Sequence, residues 1–112
     1  MTANGNQDHR IELTYRVEPG CLGPDGKNHI EGFCHFAMRA IASLDANFVI
    51  WNIIPRYDKT LPEMEFKVRG KSLNRAKTAV YLKAMNADLD KFEEHLDDAL
   101  VRMIDAYRKR TG

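Results

Sequence analysis

The chain has 112 residues, 44% of them hydrophobic and 29% charged, with a formal net charge of +1 at pH 7. That length holds one domain, which buries about two-thirds of its unfolded surface and needs no metal or disulfide to fold. The balanced charge, with a pI of about 7.8, argues against a generic polyanion binder, for which a domain pI above about 9 is expected.

Residues 1–9 show no periodic apolar pattern and read as a mobile tail ahead of a single domain over 10–110. The polar start does not read as a signal peptide, and no apolar run approaches the ~20 residues that cross a bilayer. Two cysteines are too few for a disulfide framework. A cytoplasmic protein with reduced thiols and no membrane contact is expected.

Ile11, Leu13, Tyr15 and Val17 alternate with charged or polar residues, the period of two that marks a half-buried strand. Pro19-Gly20 stops it, and the stretch PGCLGPDGKN, with three glycines and two prolines, is a loop. Between Asn28 and Asp45, a strand would put Phe33 and Ala37 on the wrong side. A helix gathers Ile30, Phe33, Cys34, Ala37, Ala40, Ile41 and Leu44 on one arc, with Asn28 and Glu31 at capping-box spacing, so helix is expected. Phe48 to Ile54 is apolar on both faces and bounded by Pro55, as a central strand is. Met64, Phe66 and Val68 alternate with charges as a further half-buried strand that ends at Gly70.

Thr78 to Met85 is open to two readings. Joined to the C-terminal segment it makes a helix of about 35 residues, far above the mean of about 11–12. Thr78, Val80 and Tyr81 favour a strand, with Asn86 as the cap of a new helix, and a fourth strand is expected. In the last segment Leu89, Phe92, Leu96, Leu100, Met103 and Tyr107 form one apolar stripe. Acids fill its first half and Arg102, Arg108, Lys109 and Arg110 its second, which matches the helix macrodipole.

The order β-α-β-β-β-α predicts an α+β two-layer sandwich, a four-stranded sheet with both helices on one face. Over residues 10–109 this order resembles that of ribosome-hibernation factors and, without the first strand, of double-stranded-RNA-binding domains. The Gly- and Lys-rich entry to the last helix of the latter is replaced here by Asn86-Ala87-Asp88-Leu89-Asp90, which repels phosphate. The likeness stops at arrangement, and arrangement carries no function.

Between Phe66 and Ala87 stand six bases and no acid. With paired third and fourth strands, Lys67, Arg69, Lys77, Tyr81 and Lys83 share the open sheet face, with Lys71 and Arg75 in the same stretch. Cations beside an aromatic ring can neutralise phosphates and stack a base; equally, lysines blunt an edge strand against aggregation. Cys21, in the glycine-rich loop, lacks the histidine partner of an activated nucleophile. Cys34 reads as a buried apolar residue. Cys21, His29, Cys34 and His35 have no metal-ligand spacing, and Glu31 and His35, four apart, read as a solvent-exposed pair. Glycines 20, 23 and 26 form no phosphate-cradling motif, and the neighbouring Asp97 and Asp98 point apart on their helix.

No metal, cofactor or enzymatic activity is therefore expected. The leading expectation is a protein-interaction or self-associating module that meets a protein partner or a second copy through the open sheet face or an edge strand. RNA or ribosome association through the basic stretch is the alternative.

Overall fold

The alternation of the first strand sets the two faces of the sheet. In β1 (Ile11–Val17) the side chains of Ile11, Leu13 and Val17 are buried, while Glu12, Thr14 and Arg16 lie on the other face. Its partner β2 (Val49–Pro55) runs parallel to it, Ile11 opposite Val49 and Leu13 opposite Trp51, and buries Val49, Trp51 and Ile53 in step. On its other side β3 (Met64–Val68) runs antiparallel, Leu13 opposite Phe66. A two-residue turn then returns the chain as β4 (Lys71–Leu73), with Val68 opposite Lys71. Arg69 and Gly70 both have positive φ, 51° and 80°, the backbone of a type I′ hairpin turn. The strand order is β2-β1-β3-β4. The computed structural model describes residues 9–111, and the rest of the expected tail, residues 1–8, lies outside them.

Helices α1 (Gly26–Ile41), α2 (Arg75–Ala84) and α3 (Leu89–Thr111) share one core with the buried face of the sheet, preceded by a 3-10 turn at Pro19–Leu22. The α+β two-layer arrangement expected from the pattern is the one observed. α1 starts two residues before Asn28, at Gly26, where a Cβ would overlap the Pro19 carbonyl oxygen. Only glycine lets the helix seat itself on the 3-10 turn.

The apolar stripe of α3 holds the layers together. The Phe92 ring stacks on Trp51 at 5.6 Å, and the Trp51 indole N–H donates to the Leu44 carbonyl at 2.7 Å. At the other end Tyr107 meets Phe33 and Phe36, each with ring centroids 5.6 Å away, and its hydroxyl lies where a side chain on Gly32 would be. Each large apolar side chain so buried contributes about 1.5–3 kcal/mol.

The segment expected as a fourth strand is a helix. Residues 75–84 form α2, the fourth strand is the three-residue β4, and the layer holds three helices where two were expected. Three features decide this. The Asn74 side chain accepts from the Lys77 backbone N–H at 2.8 Å, and the Thr78 hydroxyl donates to the Asn74 carbonyl. Thr78 (0% exposed) and Leu82 (1%), four apart, are buried together, whereas the strand reading turned Val80 inward and Val80 is 71% exposed. Neither does the segment run on into α3, because Asn86 at φ 62° breaks the helix. Asn86 thus ends α2, and the cap of α3 is Asp88, whose carboxylate accepts from the Lys91 N–H at 3.1 Å.

Two pairs of substitutions check these assignments by urea denaturation. Leu82→Ala should cost about 2–4 kcal/mol and Val80→Ala less than about 0.5 kcal/mol; equal losses would restore the strand reading. Gly26→Ala should cost about 3 kcal/mol through overlap with Pro19, while Gly20→Ala, with open space around its Cβ position, should be within about 0.5 kcal/mol of wild type.

Candidate interaction surface

The six bases and Tyr81 do not assemble on the open sheet face. Lys67 alone lies there, in register with Glu12 on one side and Ser72 on the other. Arg69 occupies the hairpin turn, its guanidinium against the His9 ring at 2.5 Å, and Lys71 is exposed on the edge strand β4. Arg75 opens α2 and is occupied: it grips the Glu93 carboxylate with two hydrogen bonds, 2.7 and 2.8 Å, and reaches Asp90 at 3.4 Å. Lys77 and Lys83 project from α2 into solvent. Tyr81 is half-buried and donates its hydroxyl to the His9 carbonyl at 2.9 Å. The helical course of residues 75–84 takes Lys77, Tyr81 and Lys83 off the open sheet face, since only a strand would have sent alternate residues there.

The open sheet face is mainly polar. Arg16 and Glu65 bridge across it at 2.6 Å, and of the β2 residues turned that way Asn52 is exposed while Ile50 and Ile54 are half-buried. Apolar exposure lies instead on the outer side of α2, where Leu73, Ala76, Val80, Tyr81 and Ala84 line one shallow depression with Lys77. On a helix Val80 stands opposite the buried pair Thr78 and Leu82. It is the most exposed large hydrophobic side chain among the described residues. The helix adjoins β4, one edge of the sheet. At the other edge the Ile53 N–H of β2 points at the Met38 sulfur at 3.1 Å. Sequence reasoning missed Val80, though counting helical positions from the Asn74 cap would have placed it outward.

A second feature lies along α3. Tyr15, Val17, Glu18, Glu63, Asp97, Leu100 and Ile104 line a cleft of about 260 Å³ with the exposed Cys21 and Val101, and Glu18 is paired with Arg56 at 2.7 Å and Lys59 at 3.1 Å. Burial, with Glu63, Cys21 and Asp97 nearby, pushes the Tyr15 hydroxyl up to about 12. Val101, 67% exposed, stands at the rim.

Of the residues considered for chemistry, Glu31, Cys34 and His35 line one pocket of about 290 Å³ with Met38 and Tyr57, and Cys21 and His29 are not part of it. Cys34 is buried, and its thiol is pushed up to about 11, mainly by burial, so it is protonated at neutral pH. Cys21 is exposed on the 3-10 turn. Glu31 accepts from the Tyr57 hydroxyl at 2.7 Å, and His29 meets Asp25 at 3.2 Å. Among the described residues no three His, Cys, Asp or Glu side chains are placed to hold a metal ion, and no helix is long and apolar enough to cross a membrane.

Compared with protein-family models, curated proteins and solved structures, the chain matches none.

The Arg75 clamp makes the seating of α2 sensitive to pH. Its hydrogen bonds hold the Glu93 carboxyl below the ordinary carboxylate range. A carboxyl that titrates lower folded than unfolded stabilises the fold above its unfolded value, and that contribution is lost as pH falls through the folded value. The urea midpoint of Glu93→Gln should therefore fall less than that of wild type between about pH 5 and about pH 3. An equal fall in both chains would show that the pair does not couple to folding.

Proposed function

We propose that the protein is a non-enzymatic interaction module of the cytoplasm, and that the outer face of α2 with the adjoining edge of β4 is its contact surface for another protein chain. Val80 carries this reading. A ten-residue helix that is apolar on its inner side and again on its outer side has more apolar surface than its own fold uses. The rim selects for acidic partners, since Lys71, Lys77 and Lys83 form no ion pair with another described residue. The unpaired Cys21 and Cys34 support a reducing compartment.

The same unneutralised lysines favour a second reading, RNA or ribosome association, in which the exposed side of Tyr81 offers a base a stacking surface. Its weakness is the dispersal of the bases over the sheet face, the hairpin turn and α2, with Arg75 already engaged.

One set of binding measurements separates the two. Wild type and Val80→Glu, a change at a solvent-exposed position that leaves the core intact, are compared for capture of nuclease-treated lysate proteins and for self-association by sedimentation. In parallel, RNA anisotropy is measured at about 50 and about 200 mM salt. The interaction reading expects a protein complex weakened at least about tenfold, about 1.4 kcal/mol, by the charge at position 80. Identical capture by both chains and no self-association by either overturns it. Salt-dependent RNA binding that is lost in Lys67→Ala, Arg69→Ala, Lys77→Ala and kept in Val80→Glu would put the second reading in its place.

A further inference from the structure

The two most exposed valines carry opposite surroundings. Val80 sits on α2 between Lys77 and Lys83, all three outward-facing. Val101 sits on α3 at the mouth of the Tyr15 cleft, beside Glu63 and Asp97, neither of which forms an ion pair with another described residue. One surface is a shallow apolar helix face from which Val80 stands out as a ridge rimmed by cations, and the other is an apolar cleft rimmed by the anions Glu63 and Asp97.

α2 already shows how the chain fills this kind of site. In its own protomer it docks on the flank of α3 that carries Glu93, a cation meeting carboxylates above buried apolar side chains. Asp97, Val101 and Ile104 continue that flank, as positions three or four apart do. At 1.5 Å per residue, Val101 to Ile104 lie about 12–16 Å beyond Glu93, more than the about 8–10 Å between packed helix axes. The flank is thus long enough for a second helix beside α2, and Val101 on that stretch is exposed.

We propose that the occupant is α2 of a second copy of this chain, its Val80 and Ala84 seated in the Tyr15 cleft, with Lys77 and Lys83 facing Glu63 and Asp97. Each copy carries both halves, so a two-fold axis makes the contact twice and closes the assembly. Duplication matters because one ridge in one cleft falls short of the about 1,200–2,000 Å² that a stable interface buries. This inference rests on the interaction reading and names the partner for the α2 surface.

Charge exchange in the full-length chain tests it. By sedimentation equilibrium across a concentration series, wild type should dimerise, more weakly as salt rises. Lys77→Glu/Lys83→Glu gives a chain with acidic ridge and acidic cleft, and Glu63→Lys/Asp97→Lys a chain with both basic. Each alone should lose at least about tenfold in dimer affinity, all four positions being at the surface and native far-UV circular dichroism confirming the fold. An equimolar mixture of the two variants, in which every ridge meets a cleft of opposite sign, should recover the affinity as a heterodimer. A wild-type chain that stays monomeric at every concentration overturns the proposal, as does a dimer that ignores the charge changes or a mixture that does not recover. Monomeric wild type together with protein capture lost in Val80→Glu would remove the second copy and leave the interaction reading standing.

Discussion

Burial of the α3 stripe is the interaction on which the other placements depend. Phe92 stacked on Trp51 fixes one end of the helix over the start of β2, and Tyr107 against Phe33, Phe36 and Gly32 fixes the other end to the first half of α1. With both ends held, the helix crosses the sheet as a rod of about 35 Å. Its Glu93 flank remains for α2, and the part that α2 leaves uncovered is the Tyr15 cleft. The two surfaces proposed for contact are therefore by-products of the packing, one the back of a helix and the other the remainder of a groove.

Much of this is legible in the residues. The alternations of β1 and β3, the two-sided apolarity of β2 and the stripe of α3 each reflect a burial pattern imposed by one neighbouring layer, so they survive into the fold nearly unchanged. Residues 71–85 mislead because their local signals conflict. Thr78, Val80 and Tyr81 favour a strand by propensity, and Ala76, Ala79 and Ala84 favour a helix. The difference is settled by the Asn74 cap and by burial of Leu82 against distant parts of the chain, and the second of these is absent from any local window.

The same conflict displaces the candidate site. The basic residues stand out in the sequence as unusual, yet their grouping on the open sheet face depends on β periodicity, and 100° per residue carries Lys77 and Lys83 to the outer side of α2 instead. Val80, the residue on which the functional reading rests, looks like an ordinary core residue in the strand frame. The Tyr15 cleft has no sequence signature, since Tyr15, Glu63 and Asp97 come from three separate parts of the chain and meet only through sheet pairing and the course of α3. In each case the side-chain chemistry is visible in the sequence and the neighbours are not.

The left-handed backbone at Asn86 has a consequence for how firmly this architecture is chosen over a rival. Asparagine tolerates that region where most side chains resist it by about 1–2 kcal/mol. With a residue that prefers right-handed geometry, α2 and α3 could fuse into a rod of about 55 Å. The inner face of α2 would then leave its own sheet and seek a sheet in another molecule. A single dihedral thus stands between a chain that closes on itself and one that exchanges segments with its neighbours.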